Sequence, residues 1–354
     1  MSTNNGGLSR RRGAGGGGGE DSTHTNSSRP SSTGGAPGGG GGGGGGGGNH
    51  GHRSSVDGGK VFADPRDLQI ENENKTQPRL TLMEEVLLLG LKDKQIATMA
   101  GEARLGYLSF WNDNISYTLR GCILMELAFR KRIAMVKDPN RRKYALADRY
   151  IEVVNEKLTG EVLLDETLKM INSTQERMSV GQWIDLLSGE TWNVMKVGFQ
   201  LKQVRERLAK GLVDKGVLRT EKRNFLIFDM ATHPVTDSAV KEEVVKRACT
   251  TLISRSNGST PSLTDRESPM VFQQLRTVTM VCAAYAANVL ENALMYLNHE
   301  MREVAYTKVD ELLSDYSQYP FVSPASKNEV AGNDLQMEII AAVLNVFTKM
   351  DSIL

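Results

Sequence analysis

The sequence predicts one large, mostly α-helical domain with a few short β-hairpins, preceded by a disordered, glycine-rich tail. Apolar residues recur at steps of three and four over long stretches, which is typical of amphipathic helices. No alternation of strands and helices of the βαβ kind is present. Most of the 36 glycines lie before residue 60, in a segment too poor in apolar residues to bury a core. We therefore assign residues 1–75 to the tail and residues 76–354 to the domain.

The first half of the domain is predicted from local signals. Thr81 and Glu84 fit a capping box that opens a buried helix, and residues 115–129 follow a helical pattern. A second capping box, from Ser179 to Gln182, opens a short helix that contains Trp183. The other elements predicted here are a turn at 137–142, a hairpin around 144–154 and a helix over 161–171.

The second half is predicted to contain a long helix over residues 197–212, stopped by Gly216. A hairpin follows, with a polar turn at 220–224 and an apolar second arm made of Phe225, Leu226, Ile227 and Phe228. Further helices are expected at 238–254, 278–297, 302–316 and from 334 onward. Residues 278–297 are almost long enough to span a membrane, but Asn288 and Glu291 favour a buried helix instead.

Charge and cysteine content narrow the classes of function. The whole chain is formally +1, yet residues 202–223 carry eight basic and three acidic side chains, net +5. A surface of this kind fits an anionic partner. The three cysteines lack metal-ligand spacing and are expected in the core, so no metal site is predicted. With no apolar signal region at the N-terminus, we expect a cytosolic protein.

Two binding functions fit the basic segment, and no catalytic motif points to an enzyme. The helix, basic turn and hairpin can be interpreted as the wing of a winged-helix nucleic-acid-binding protein, although an apolar tip and a near-zero net charge oppose this. A membrane surface fits better, because basic groups attract anionic headgroups while Phe225–Phe228 enter the interface. A core strand remains the alternative for these four residues.

Several motifs resemble the Golgi phosphoprotein 3 family in order and spacing, over roughly residues 78–354. The run that begins at Leu201 looks most like the fungal vacuolar-protein-sorting members of that family. The motifs are Thr81-Leu-Met-Glu-Glu-Val-Leu-Leu, Ser109-Phe-Trp-Asn-Asp, Leu119-Arg-Gly-Cys, Gly160-Glu-Val-Leu-Leu-Asp-Glu, Leu187-Ser-Gly-Glu-Thr-Trp-Asn, Val204-Arg-Glu-Arg-Leu-Ala-Lys and Phe228-Asp-Met-Ala-Thr-His-Pro.

The resemblance implies a non-enzymatic, peripheral protein on the cytoplasmic face of Golgi membranes, with a cytosolic pool. It implies binding of phosphatidylinositol 4-phosphate as a ligand, with no cofactor. It also implies capture of the cytosolic tails of glycosyltransferases and their coupling to coatomer (COPI). Homotetramers and an interaction with a Sac1-type phosphoinositide phosphatase are further expectations, and no nucleic acid is expected as a partner.

The resemblance also assigns residues to these roles. The phosphoinositide site falls on Trp111, Arg120, Lys202 and Arg205, and the membrane-inserting hairpin of the family falls on residues 221–232. We also predict that Lys202 and Arg205, three residues apart, share one helix face and approach one phosphate. The arginine cluster that binds coatomer falls on Arg10, Arg11 and Arg12. An insertion around residues 95–104 departs from the family pattern and is expected to be dispensable.

Overall fold

Helices make up most of the structure, as the sequence predicts. The computed structural model describes residues 77–91, 113–225, 228–254, 272–321 and 330–350, except the side chains of 113, 222–225 and 228–232. The tail and the 95–104 insertion lie outside these ranges. The helices within them are α1 (Leu82–Gly90), α2 (Asp113–Phe129), α3 (Val162–Ser173), α4 (Val180–Ser188), α5 (Val204–Asp214), α6 (Ser238–Ile253), α7 (Gln273–Ala286), α8 (Leu290–Leu294), α9 (His299–Tyr316) and α10 (Asp334–Phe347).

Two small antiparallel sheets accompany the helices. Strand β1 (Ile133–Met135) pairs with β2 (Ile151–Val153), and β3 (Glu221–Phe225) pairs with β4 (Phe228–Thr232). The hairpin predicted around residues 144–154 is wrong in its first arm. Residues 139–148 contain two 3-10 turns, the first begun by Asp138, whose side chain accepts from the Asn140 amide at 2.8 Å. The partner of β2 therefore comes from further back along the chain.

Helix α1 starts at the predicted capping box and lies in the interior. The Thr81 hydroxyl accepts from the Glu84 amide at 3.4 Å, and the Glu84 carboxylate accepts from the Thr81 amide at 2.8 Å. All nine residues of the helix are buried. Its neighbours include α2, α5, α6 and α7. The continuous apolar run after Thr81 is thus explained by contacts on every side of the helix.

Helices α2 and α10 cross in close contact at Gly121. A Cβ atom at this position would lie 2.6 Å from the Phe347 ring and 2.9 Å from the Val343 side chain. Any larger residue would therefore push the two helices apart. Helix α10 also contacts α4, α7 and β1. It fills the space between elements that are far apart in the sequence.

A buried carboxylate joins three helices in this core. Glu126 of α2 accepts two hydrogen bonds from Arg276 of α7, at 2.8 and 3.2 Å, and one from Arg130 at 2.8 Å. It also accepts from the Leu82 amide at the start of α1, at 2.9 Å. Burial raises the pKa of Glu126, but the two arginines more than offset it and hold the pKa at about 2. The carboxylate is thus ionised inside the core.

The buried helix predicted over residues 278–297 is divided in two. Asn288 adopts a left-handed conformation, with φ of +55°, between α7 and α8. None of the described helices is both long enough and apolar enough to cross a bilayer. Cys122 and Cys282 are buried and Cys249 is half-buried, and burial raises the pKa of each thiol. In the described ranges, no cluster of acidic, histidine and cysteine side chains could hold a metal ion.

Candidate functional site

The residues predicted to hold a phosphate lie on separate parts of the chain. Arg120 is in α2, Lys202 precedes α5, and Arg205 is in the first turn of α5. Trp111 lies outside the described residues. Burial lowers the pKa of Arg120, and the charge of Arg205 lowers it further, so the fold brings these two cations near each other.

Arg120 is 6% exposed and donates four hydrogen bonds to neutral oxygens. Its Nε donates to the Leu187 carbonyl at 3.1 Å and its Nη2 to the Leu201 carbonyl at 2.7 Å. Its Nη1 donates to the Ser116 carbonyl at 2.7 Å and to the Ser116 hydroxyl. The Leu201 amide in turn donates to the Leu187 carbonyl at 3.0 Å. Arg120 therefore ties α2 to the end of α4 and to the residue just before Lys202.

The long helix predicted over residues 197–212 is wrong. The chain forms a 3-10 helix (Val194–Phe199), then a break, and α5 starts only at Val204. Gln203 has a left-handed φ of +53°, and the Leu201 carbonyl accepts from Arg120. The helical ladder cannot run through this point. Lys202 is thus outside the helix and does not share a helix face with Arg205.

The start of α5 nonetheless concentrates positive potential. Arg205 is half-buried in its first turn, and Lys202 is exposed just ahead of it. The amide dipoles of a helix add a partial positive charge at this end. The side chain of Gln203 forms no capping hydrogen bond that would offset it. Such an arrangement favours a bound anion.

The surroundings of Arg120 disfavour its charged form. Burial, followed by the charge of Arg205, lowers its pKa to about 10, and Glu206 opposes this shift only in part. Its hydrogen-bond acceptors are neutral, so they solvate the guanidinium without cancelling its charge. An anion placed between the two arginines would favour both charged forms.

Other basic residues of the 202–223 segment are used inside the fold. Three of them form ion pairs, namely Arg207 with Glu166, Lys215 with Glu84 and Glu161, and Arg219 with Glu221. Lys202 and Lys210, in contrast, are exposed. The net charge of the segment therefore overstates the charge available to a partner. Among the side chains of this segment that the structure describes, the exposed cations outside these ion pairs, Lys202 and Lys210, lie just before α5 and on it.

The hairpin differs from the layout predicted from its polarity. The polar residues 220–224 were expected in the turn, but Glu221–Phe225 form the first strand. Phe225 ends the first strand and pairs with Phe228, which begins the second, so the apolar run does not lie along the second arm alone. Leu226 and Ile227, between them, lie outside the described residues. The bounds 221–232 taken from the family resemblance agree with the observed hairpin.

An exposed apolar loop was missed in the sequence. Residues 189–200, here called the Trp192 loop, connect α4 to the break before α5. Trp192 is 103% exposed, Met195 88% and Val194 82%. The apolar spacing of Val197 and Leu201 predicted a helix here, and this prediction hid the loop. Asn193, whose side chain caps the 3-10 helix, was a local signal that could have revealed it.

Known proteins are similar to this chain over most of its length. A family model described as Golgi phosphoprotein 3 (GPP34) matches residues 82–332. The vacuolar protein sorting-associated protein 74 of Schizosaccharomyces pombe is 57% identical over 315 residues, covering 84% of this chain and 89% of that protein. The protein of the same name from Eremothecium gossypii is 46% identical over 311 residues, covering 83% and 90%.

Proposed function

Because this chain belongs to the Golgi phosphoprotein 3 family, we propose that it is a peripheral, non-enzymatic adaptor of Golgi membranes. The names of the family and of the relatives support a role in Golgi-associated protein trafficking. In the finer proposal, the protein binds phosphatidylinositol 4-phosphate on the cytoplasmic face and exchanges with a cytosolic pool. It couples the cytosolic tails of glycosyltransferases to coatomer, which keeps these enzymes in the Golgi.

The observation that carries the lipid proposal is the meeting of Arg120, Lys202 and Arg205 near the start of α5, where the helix dipole adds partial positive charge. Arg120 and Arg205 repel each other, and the acceptors of Arg120 are neutral. A phosphate monoester carries nearly two negative charges and can accept from a guanidinium in two places. In the proposal, Arg205 and Lys202 contact the phosphate, Arg120 supports it from below, and Trp111 completes the pocket.

The hairpin supports a second membrane contact. Its strands pair with each other as far as Phe225 opposite Phe228, and in the sequence they are joined by two apolar residues, Leu226 and Ile227. A two-stranded sheet whose strands are joined by apolar residues fits insertion into a membrane better than a place within a core sheet. A homotetramer would present several such sites to one membrane and strengthen binding. A Sac1-type phosphatase remains a proposed partner of the assembly.

Arg205→Ala and Lys202→Ala should each weaken binding to vesicles that contain phosphatidylinositol 4-phosphate by about tenfold or more. The loss of one charge-assisted contact costs about 1.5–3 kcal/mol, and each 1.4 kcal/mol is a factor of ten. Flotation of the full chain measures this. A second set of vesicles, in which phosphatidylserine supplies the same total charge, separates headgroup recognition from general attraction to anions.

Lys210→Ala is the matched control for this experiment. Lys210 is an exposed cation on α5, about 140° around the helix from Arg205. The Lys210→Ala variant should bind the phosphoinositide vesicles almost as the wild type does. The proposal fails if the double variant of Lys202 and Arg205 still floats normally. Binding to duplex DNA in a gel shift, without lipid preference, would instead support the winged-helix alternative.

Replacement of Arg10, Arg11 and Arg12 with alanine should reduce capture of coatomer while vesicle binding stays unchanged. The cluster lies far along the chain from the phosphate site, and exposed arginine contacts are individually weak and sensitive to salt. A pull-down of coatomer at two salt concentrations, with flotation alongside, measures both properties. Normal coatomer capture by the triple variant would move the coat-binding surface to another part of the protein.

A further inference from the structure

We propose that the Trp192 loop inserts its apolar side chains into the interfacial layer of the membrane, beside the phosphate site. This inference rests on the proposed lipid-binding function and assigns it a further contact surface. The family resemblance points to the hairpin at residues 221–232 for insertion. The Trp192 loop is a separate element. Its proposed role follows from the hydrogen bonds that close it, the exposure of its side chains and the charges near it.

The loop leaves and rejoins the fold at a closed neck. The Leu201 amide donates to the Leu187 carbonyl at 3.0 Å, and Arg120 donates to both residues' carbonyls. Gly189 has a left-handed φ of +86°, and its missing Cβ leaves room for the Gln200 side chain. Loops whose ends are held together in this way are often functional. The same arginine that supports the phosphate site thus fixes the base of the loop.

The Trp192 loop has ordered local structure although its apolar side chains are exposed. The Asn193 side chain accepts from the Met195 amide at 3.0 Å, and the Asn193 carbonyl accepts from the Lys196 amide at 2.8 Å. Phe199 packs edge-on against the buried Trp183, with 5.7 Å between ring centroids. One end of the loop is therefore anchored in the core, while Trp192 and Met195 extend into solvent.

The surroundings of the loop favour a lipid surface. Residues 189–210 contain five basic and two acidic side chains. Two of the bases, Lys196 and Arg207, pair with Glu176 and Glu166 outside this stretch, which leaves a charge of +1. Tryptophan is enriched where apolar chains meet polar headgroups, because its ring is apolar and its N–H remains hydrated. An anionic headgroup held by Arg205 and Lys202, just beyond the loop, would bring the exposed ring to the bilayer.

A second group of exposed apolar residues lies in a stretch of the chain whose net charge is negative. Met295, Tyr296, Met301 and Val304 are 38–59% exposed, the first two in the connection between α8 and α9 and the other two on α9. Residues 290–306 contain three acidic side chains and one basic side chain, net −2 with histidine neutral. An anionic membrane would repel this surface. Apolar exposure alone therefore does not predict insertion, and the second surface provides a control.

Quenching of tryptophan fluorescence by lipids with brominated acyl chains tests the insertion directly. The full chain is added to phosphatidylcholine vesicles with phosphatidylinositol 4-phosphate, with and without bromine. Trp183 is buried, and the difference between the wild type and Trp192→Phe isolates the signal of Trp192. The wild type should be quenched more strongly than Trp192→Phe. Equal quenching of the two proteins would overturn the proposal.

Charged substitutions test the contribution to affinity. Trp192→Asp and Met195→Asp should each weaken binding to these vesicles about tenfold, while binding of soluble inositol 1,4-bisphosphate stays unchanged. Met301→Asp, on the acidic surface, should leave both unchanged. The inference is overturned if both loop variants bind vesicles as the wild type does. It is overturned in the same way if sedimentation then shows that the loop joins two copies of the chain. Absence of any phosphoinositide dependence in the wild type would instead overturn the proposed function.

Discussion

Glu126→Gln should destabilise the protein by about 3–5 kcal/mol, because it leaves two buried arginines without their carboxylate. Arg276 and Arg130 are 4% and 9% exposed and cannot turn to water without opening the core. For a domain of this size the melting temperature should fall on the order of 10 °C. Urea unfolding of the full chain measures the loss.

Acid should remove the difference in stability between the wild type and Glu126→Gln. The pKa of Glu126 is about 2 in the folded protein against an ordinary 4.5. A carboxyl whose pKa is lowered on folding stabilises the protein above its unfolded pKa, and this stabilisation is lost as the pH falls through the folded pKa. The advantage of the wild type over Glu126→Gln should therefore shrink between about pH 4.5 and about pH 2. An advantage that stays constant over this range would contradict the assignment.

Glu311→Gln is a suitable control for this comparison. Glu311 pairs with Lys308 at 2.9 Å, but the two side chains are 57% and 29% exposed. Solvent screens such pairs, and their contribution is about 0–1 kcal/mol. Loss of this pair should hardly move the urea midpoint. The contrast separates the effect of burial from the effect of losing a charge.

Arg120→Ala should lower both stability and lipid binding. Hydrogen bonds to a charged donor contribute about 1.5–3 kcal/mol each, and Arg120 makes four of them, so a total loss of about 3 kcal/mol or more is expected. Without the guanidinium, the end of α4 and residue Leu201 lose their common donor. The start of α5 and the neck of the Trp192 loop should then become mobile.

Comparison with Arg205→Ala distinguishes support from direct contact. Arg205→Ala should lose vesicle binding with little change in the urea midpoint, whereas Arg120→Ala should lose both. Arg120→Lys keeps a charge but not the planar fork, so it should stay close to the alanine variant in stability. Amide hydrogen exchange at Leu201 reports on the neck. Unchanged stability and slow exchange in Arg120→Ala would make Arg120 a lipid contact without a supporting role.

Local chemistry made much of the fold predictable. The capping boxes at Thr81 and Ser179 depend on residues three positions apart, and both form as predicted. Gly216 stops α5 for a similar reason, with a left-handed φ of +74° that glycine adopts without strain. Such signals need no information from the rest of the chain.

The misassigned elements depended on distant partners. The apolar spacing from Val197 to Leu212 continues through the break, because Leu201 is buried by tertiary contacts and not by a helix face. The carbonyl of Leu201 accepts from Arg120, 81 residues earlier. Gln203 carries no sequence signal for its left-handed conformation. For the same reason, the spacing of residues could not reveal that Arg120 ties α2 to the end of α4 and to Leu201.

The crossing of α2 and α10 at Gly121 couples the folding of parts of the chain that are far apart in the sequence. Gly121 and Phe347 are more than two hundred residues apart, yet no atom fits between them. Contacts of such long range make folding slow, because the intervening chain must be confined before the contact forms. The helices between them cannot mature as an independent unit, since α10 completes the core that α2, α4 and α7 share. The domain should therefore fold late and all at once, with no half that is stable without the other.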